Sequence, residues 1–155
     1  MPTGHHRTEP CQTAGVFGRD HHAEAVAQRI DHLMEAVFVA DDRDRLARLA
    51  EHLAPDFVYV SPEAVFDGAE GLSDAFARYR RESWRGARLR RTSELEMHHG
   101  YFRYSWERVE SGAVVMEGWS FGSVDDTGAI TKENPSPSAA RRYWRSMKAR
   151  PSSPS

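Results

Sequence analysis

Cysteine is almost absent from this sequence. Cys11 is the only cysteine among 155 residues, so an internal disulfide is excluded and a reducing compartment is expected. Long hydrophobic runs are absent too: no apolar stretch approaches the ~18 residues of a membrane-spanning helix, and residues 1–20 lack the apolar centre of a signal peptide. We therefore expect a cytoplasmic protein without a membrane span.

An excess of charge of either sign is also missing. The formal net charge is -2 and the pI is about 6.4, which gives no general attraction to nucleic acid. Seven arginines crowd residues 78–91. They fit either an exposed helix C-terminus that runs into a strand or a phosphate-binding patch. The acidic balance of the remaining chain favours the first interpretation, and no nucleic-acid partner is expected.

Metal-binding and cofactor-binding patterns are absent as well. The histidine pairs His5–His6 and His21–His22 lack companion residues at ligand spacing, so they indicate incidental histidines in a flexible arm rather than a metal centre. We predict no metal and no cofactor.

The length suits one domain with a hydrophobic core. Residues 1–20 show no periodicity and predict a flexible arm. We predict the folded domain over residues 21–131 and a basic tail, rich in proline and serine, over residues 132–155. Residues 134–137, Asn-Pro-Ser-Pro, cannot continue a central strand. Within this tail the pattern of Ala140, Tyr143, Trp144 and Met147 predicts a short helix that closes a pocket or binds a partner, unless the segment is an altered sequence without selected structure.

Apolar spacing predicts three helices. One helix covers residues 22–40, and a second is capped by Asp41 or Asp42 and ended by Pro55. A short hairpin follows, formed by residues 57–61 and 65–67, and then a third helix. The apolar stripes are Val26, Ile30, Leu33, Met34 and Val37 in the first helix, Leu46, Leu49, Ala50 and Leu53 in the second, and Leu72, Ala75, Phe76 and Tyr79 in the third.

Residues 95–121 predict three antiparallel strands joined by two hairpins. His99–Gly100 suits a two-residue turn, and residues 110–112 suit a three-residue loop. This register pairs Trp106 with Met116, Tyr104 with Gly118 and Phe102 with Ser120, all on one face, and leaves room over Tyr104 at Gly118. A two-residue turn at Ser111–Gly112 would instead bring Arg103 and Glu107 to the face of Ser120.

The order of these elements resembles the SnoaL-like branch of the nuclear transport factor 2 superfamily, over residues 22–131. The resemblance is carried by LAPDFVYVSP at 53–62, FDGAEGLSDAFARY at 66–79, MHHGYFRYSWE at 97–107 and VVMEGWSFGSVDDTGAI at 114–130. It implies a cone-shaped α+β fold in which a curved antiparallel sheet wraps three N-terminal helices around a pocket, with dimers common. One function is not implied, because this fold hosts isomerases, cyclases, dehydratases, hydrolases and non-catalytic modules.

The catalytic positions of relatives are mostly replaced here. Ketosteroid-isomerase-like members place a carboxylate base where this chain has Ser61 and an acidic donor where it has Ser120, and their helical tyrosine falls near Val37 or Phe38. The Arg-x-Asp arrangement of limonene-epoxide-hydrolase-like members meets residues 103–105, Arg-Tyr-Ser. We therefore expect no isomerase activity of the ketosteroid type. A catalytic role would be that of another cofactor-independent isomerase, cyclase or lyase.

Few other candidates for pocket chemistry remain. His98 or His99 could transfer a proton at the pocket, or both are turn-forming residues; as neighbours on a strand they point to opposite faces. An aromatic stripe could stack on a flat apolar ligand with a polar handle, or it could belong to the core. The predicted ligand-binding residues are Tyr59, Phe102, Tyr104, Trp106, Met116 and Ser120.

Two functions remain open at this point. The first is binding of a small hydrophobic or polyketide-like molecule, with acid-base turnover; the second is a non-catalytic dimerisation or interaction module. An unfilled pocket lined by polar groups favours the first, and a pocket plugged by Phe38, Phe76 and Trp106 favours the second. A homodimer is predicted through the other sheet face, where exposed apolar side chains indicate association: Tyr101, Val115, Trp119 and Phe121.

Overall fold

A computed structural model of the chain describes residues 17–138. In this range the element order is α1 (Phe17–Ala36), α2 (Asp42–His52), β1 (Leu53–Val60), β2 (Val65–Asp67), α3 (Gly68–Glu82), β3 (Arg88–Arg91), β4 (Glu96–His98), β5 (Tyr101–Glu110), β6 (Ala113–Val124) and β7 (Ile130–Pro137). Within these residues, no helix has both the length and the apolar character needed to cross a membrane.

The helices follow the predicted apolar stripes, except that Leu53 of the second stripe begins β1 and Ala50 is exposed. Asp41 caps α2, since its carboxylate accepts a hydrogen bond from the Asp44 backbone N–H at 2.8 Å. α1 ends at Ala36, earlier than the predicted Ala40, and α2 ends before Pro55. Pro55 instead lies inside β1, at a break in the register between β1 and β7, where a missing N–H is tolerated.

Two arginines hold the α1–α2 connection in place. Arg45 is almost fully buried and donates to the Val39 carbonyl and the Ser73 hydroxyl, both at 2.9 Å. Arg80 on α3 donates to the carbonyls of Val39 at 2.7 Å and Ala40 at 3.0 Å. All three helices are thereby joined beside the sheet.

The strands form one mixed sheet in the order β2-β1-β7-β6-β5-β3, with β4 also paired to β5. The pairing is antiparallel except between β1 and β7, which run parallel. At the β3 edge of the sheet, the Arg91 guanidinium binds the Asp31 carboxylate through two contacts of 2.9 and 2.8 Å. This ion pair joins β3 to α1. The predicted α+β cone, a curved sheet around three helices, is confirmed, although one strand pair is parallel.

Both hairpins of the central meander close with two-residue turns. His99 and Gly100 have φ of 51° and 79°, and Ser111 and Gly112 have φ of 49° and 78°, as type I′ turns require. The prediction was right for the first turn and wrong for the second. A β-bulge at Val115 then shifts the β5–β6 register beside Arg108 and Val109.

The turn and the bulge together explain why the predicted strand faces are correct while the predicted residue pairs are wrong. Trp106 lies opposite Gly118, Tyr104 opposite Ser120 and Phe102 opposite Gly122, each two residues from the predicted partner. A shift of two residues keeps every side chain on its face. The space at Gly118 is therefore filled by Trp106 instead of lying open over Tyr104.

Gly122 brings two strands and an aromatic ring into close contact. A Cβ atom added there would lie 2.2 Å from the Lys132 carbonyl oxygen and 2.2 Å from Phe102 Cζ. Neither group can retreat, because one is backbone in the sheet and the other belongs to a buried ring. Glycine at this position therefore allows β6 to pack over Phe102.

Strand β7 contradicts the prediction that residues 134–137 cannot continue a central strand. Pro135 and Pro137 lie opposite Ser120 and Gly118, while the Ser138 N–H donates to the Glu117 carbonyl at 2.8 Å. The prolines thus alternate with the residues whose N–H groups donate to β6. On its other side, β7 is paired with β1 only as far as Glu133. Because no strand beyond Glu133 needs an N–H from positions 135 and 137, proline fits inside β7 at these positions.

The predicted domain boundaries differ from the element bounds. The boundary at residue 131 falls inside β7, so the start of the predicted tail is part of the sheet, and α1 begins inside the predicted arm. The division into arm, domain and tail otherwise stays a prediction. Residues 1–16 and the predicted helix at residues 140–147 lie outside the described range.

We predict that Gly122→Ala lowers the free energy of unfolding by about 1–3 kcal/mol, because the new methyl group overpacks the sheet. Gly71→Ala is the matched control, since its Cβ would meet only ordinary contacts at 3.6 Å or more. In helix α3 that change should raise the free energy of unfolding by roughly 0.5–1 kcal/mol. Urea denaturation measures both, and equal stabilities of the two variants would contradict the packing argument.

Candidate functional site

A cavity of about 810 Å³ lies between the helices and the concave face of the sheet. α1 contributes Leu33, Met34 and Val37, and α3 contributes Leu72, Phe76 and Tyr79. The sheet contributes both apolar and polar side chains. These are Tyr59, Tyr104, Trp106, Arg108, Met116, Ser120 and Glu133. A volume of this size suits a small organic molecule.

A buried polar cluster forms one part of the cavity wall. Glu133 is 5% exposed and Ser120 and Tyr104 are each 1% exposed. The Tyr104 hydroxyl donates a hydrogen bond to Glu133 Oε1, and Ser120 hydrogen-bonds with the same carboxyl group. Neighbouring strands place the three groups together, because Tyr104 lies opposite Ser120 and β7 lies beside β6.

Burial controls the ionisation of this cluster. It raises the pKa of the Glu133 carboxyl above its usual value, although hydrogen bonds from Tyr104 and Ser120 oppose the rise. Burial and then the nearby charge of Glu133 raise the pKa of Tyr59 and Tyr104 well above 10.0. Both phenols therefore remain protonated donors near neutral pH, while Glu133 is the group suited to exchange a proton.

Aromatic rings form the wall on the α3 side. Trp84 stacks on Tyr79 with a centroid separation of 5.0 Å, and Phe76 meets Trp84 edge-on at 5.7 Å. The guanidinium of Arg108 lies 4.4 Å from the Trp84 ring centroid, and its Nε lies 3.2 Å from Glu110 Oε1. This arrangement gives the cavity a flat, polarisable side.

Most predicted ligand-binding residues do line the cavity: Tyr59, Tyr104, Trp106, Met116 and Ser120. Phe102 is buried in the core beneath Gly122 and does not. The predicted catalytic residues His98 and His99 are exposed at the β4–β5 turn, away from the cavity lining, so their placement lends no support to a catalytic role.

Sequence reasoning missed Glu133, the one carboxyl group in the buried polar cluster. The residue was assigned to the tail because prolines follow it at positions 135 and 137. A signal was available, since the resemblance carried by residues 22–131 implies a further strand after the turn at residues 125–128. The candidates for proton transfer taken from the sequence, His98 and His99, therefore left out this carboxyl group.

Ser61, at the position of the relatives' carboxylate base, has a structural role. Its hydroxyl donates to the Ala64 carbonyl at 3.0 Å and accepts from the Ala64 N–H at 3.1 Å. These bonds hold the β1–β2 connection. Ser61 is thus a turn residue at the cavity rim. It does not supply the general base that the relatives carry at this position.

We predict that Glu133 makes stability depend on pH. A carboxyl group whose pKa is raised in the folded state is protonated more in the folded than in the unfolded chain. The free energy of unfolding should therefore fall as the pH rises from the ordinary glutamate pKa of 4.5 toward the raised value. Glu133→Gln should remove this decline.

Urea denaturation at a series of pH values measures the effect. Glu117→Gln is the matched control, because Glu117 is exposed on the outer face of β6 and should leave the profile unchanged. A Glu133→Gln profile that still parallels that of the unmutated protein would show that Glu133 does not titrate abnormally.

Solved structures similar to this chain share its fold. A SnoaL-like family protein from Agrobacterium tumefaciens C58 superposes with a TM-score of 0.65 at 21% identity, covering 74% of this chain and 96% of that one. A SnoaL-like protein from Jannaschia sp. CCS1 gives 0.58 at 14% identity, covering 96% and 100%. A nuclear transport factor 2-like protein from Cytophaga hutchinsonii gives 0.53 at 8% identity, covering 76% and 94%.

No protein-family model and no curated protein matches the sequence. The likeness is thus one of architecture, and it agrees with the resemblance carried by residues 22–131. The chain has the fold shared by the SnoaL-like and nuclear transport factor 2-like proteins.

Proposed function

We propose that this protein binds a small, flat hydrophobic molecule that carries a carbonyl group, such as a polyketide-like compound, and moves a proton on it without a cofactor. The observation that carries the proposal is Glu133, a buried carboxyl group with a raised pKa on the wall of an 810 Å³ cavity. Carboxyl groups of this kind are typical of acid-base catalysis. Two similar structures are described as a candidate isomerase and a candidate polyketide cyclase of SnoaL-like type.

The roles in this proposal follow from charge and placement. Glu133, as carboxylate, takes a proton from a carbon next to the substrate carbonyl and later returns it at the same or another atom. Tyr59, which keeps its phenol proton, donates to the carbonyl oxygen where negative charge develops. Tyr104 and Ser120 donate to Glu133 and hold its orientation.

The unfilled cavity favours this function over an interaction module with a plugged pocket. Phe76 and Trp106 lie in the wall of the cavity without filling it. Phe38 meets Phe76 edge-on at 6.0 Å, and Trp106 packs toward Gly118. Polar groups on the wall of a cavity lower the stability of the fold when they are buried. Such a cavity therefore favours a binding function.

We predict that the protein binds 1-tetralone, a bicyclic aromatic ketone, and accelerates exchange of its α-hydrogens for deuterium in D2O. Glu133→Gln should slow the catalysed exchange by about 10²–10⁴-fold, the usual contribution of a general base, while it retains binding. Proton NMR follows the exchange and calorimetry follows the binding.

Glu117→Gln serves as control and should exchange like the unmutated protein. Binding without exchange in the unmutated protein would contradict the catalytic role and leave a binding function. A failure to bind would contradict both.

We also propose a homodimer that forms through the outer sheet face. Tyr101 is 68%, Phe121 50%, Val115 45% and Trp119 44% exposed, and Arg103 lies 5.2 Å over the Trp119 ring. These side chains lie together on β5 and β6, and an apolar patch of this kind on a monomer marks an association site. A two-fold dimer would bury the same patch on both copies.

We predict that Trp119→Glu dissociates this dimer, because it places a charge in the desolvated centre of the patch. Val65→Glu is the control, since Val65 is 60% exposed but lies on β2, at the opposite edge of the sheet. Light scattering should give a dimer for the unmutated protein and for the control. A monomer in the unmutated protein would disprove the interface.

A further inference from the structure

The described part of the chain ends beside the cavity. Pro135 and Pro137, near the end of β7, both line the cavity, and the Ser138 N–H donates to the Glu117 carbonyl at 2.8 Å. This hydrogen bond holds the end of β7 on β6. The terminal segment, residues 139–155, follows directly in the sequence and lies outside the described range. It is therefore attached to the fold at the wall of the cavity.

The opening of the cavity is bordered by both apolar and acidic groups. We define its rim as the lining residues that are exposed to solvent: Pro62, Glu63, Glu82, Ser83 and Val115. The other charged lining residues contribute less to this surface, because Glu133 is buried and the Arg108 side chain is only 13% exposed. The rim therefore presents two carboxylates beside apolar side chains.

The arginines near Glu82 in the described range do not belong to the rim. Arg78, Arg81 and Arg85 are exposed at the end of α3 and just after it, but none of them lines the cavity. The Arg78 guanidinium lies 5.8 Å from the centroid of the Tyr79 ring, and the Arg85 Nε donates to the Arg81 carbonyl at 3.3 Å. The charged groups of the rim are thus the two glutamates.

The terminal segment has a composition complementary to this rim. It contains five cationic side chains and no aspartate or glutamate, and three large apolar side chains stand among the cations. Opposite charges on two surfaces favour their association, and aromatic side chains suit the apolar part of the rim. The cations are Arg141, Arg142, Arg145, Lys148 and Arg150, and the apolar residues are Tyr143, Trp144 and Met147.

We propose that residues 139–150 bind across the rim of the cavity in their own chain. Tyr143 and Trp144 cover the apolar part of the rim, and the cations meet Glu63 and Glu82. The same chain is favoured over a second copy, because attachment at Ser138 gives the segment an effective concentration on the order of millimolar at the rim. Ten extended residues reach roughly 33–36 Å, which is ample for a cavity of about 810 Å³.

This contact would make the cavity a closed site. Covering the rim excludes water from Glu133, and a ligand then enters or leaves only when the segment moves. The inference goes beyond the proposed function, because the segment would cover a cavity that only binds a molecule in the same way as one that also turns it over.

Carbodiimide coupling of the full-length protein without any ligand tests this contact. The reagent joins a lysine amine to a carboxylate that touches it, forming an amide bond and taking up the water that is released. The chain has only two lysines, Lys132 on β7 and Lys148 in the terminal segment, so mass spectrometry of proteolytic peptides assigns each product. We expect Lys148 to couple with Glu63 or Glu82.

Substitutions in the terminal segment show whether its aromatic residues place Lys148 at the rim. Tyr143→Ala with Trp144→Ala should lower the yield of the Lys148 products roughly 5-fold or more, because attraction between exposed charges alone is weak. Ser152→Ala with Ser153→Ala is the matched control, since it changes the same segment beyond residue 150 and should keep the yield. An equal yield from both double variants would contradict the aromatic contact.

An equal mixture of ¹⁴N-labelled and ¹⁵N-labelled protein identifies the chain to which Lys148 couples. Products that carry a single isotope support the proposal, and products that join both isotopes would place the segment on a second copy and overturn it. Absence of Lys148 products, or products spread over exposed carboxylates away from the rim such as Asp56 and Glu70, would overturn it as well. Because no ligand is used, the proposed function is decided separately by the binding of 1-tetralone.

Discussion

The insertion of β7 between a parallel and an antiparallel neighbour is the constraint on which the candidate site depends. Glu133 is the last residue of β7 that is paired with β1, and it also lies opposite Gly122 on β6. Pairing on both sides fixes its backbone, so its side chain is presented to the cavity from rigid sheet. Beyond it the strand loses one neighbour, and only there does proline become acceptable. Where β7 is no longer paired with β1, its residues Pro135 and Pro137 border the cavity.

The polar cluster shows how the chain accommodates an ionisable group inside a hydrophobic cone. Removing a carboxyl group from water costs several kcal/mol unless hydrogen bonds replace the lost solvent. Tyr104 and Ser120 provide these bonds from β5 and β6, and within residues 17–138 no cation contributes to the pKa of Glu133. The pKa of the carboxyl group is therefore raised above its usual value. A fold selected for stability alone would place an apolar residue at this position.

Much of the fold could be predicted from the sequence, because the alternation of side chains between the two faces of the sheet continued across local irregularities. The two-residue turn at Ser111–Gly112 and the bulge at Val115 each moved the β5–β6 pairing by one residue, and the combined shift of two left Tyr104, Trp106 and Ser120 on the predicted face. The end of the sheet was not readable from local pattern. Proline usually excludes a central strand, and whether Pro135 and Pro137 are tolerated depends on a neighbour that is distant in sequence. Glu133 was lost for the same reason, because a buried carboxyl group on an unrecognised strand resembles an ordinary surface glutamate.

The bulge at Val115 gives this residue two environments. Its side chain is 45% exposed among the apolar residues of the outer face, and it also borders the cavity, since the extra residue twists the strand at that point. Any partner that covers the outer face would also narrow the opening beside Val115. With the proposed homodimer through this face, the residence time of the proposed ligand would rise with protein concentration.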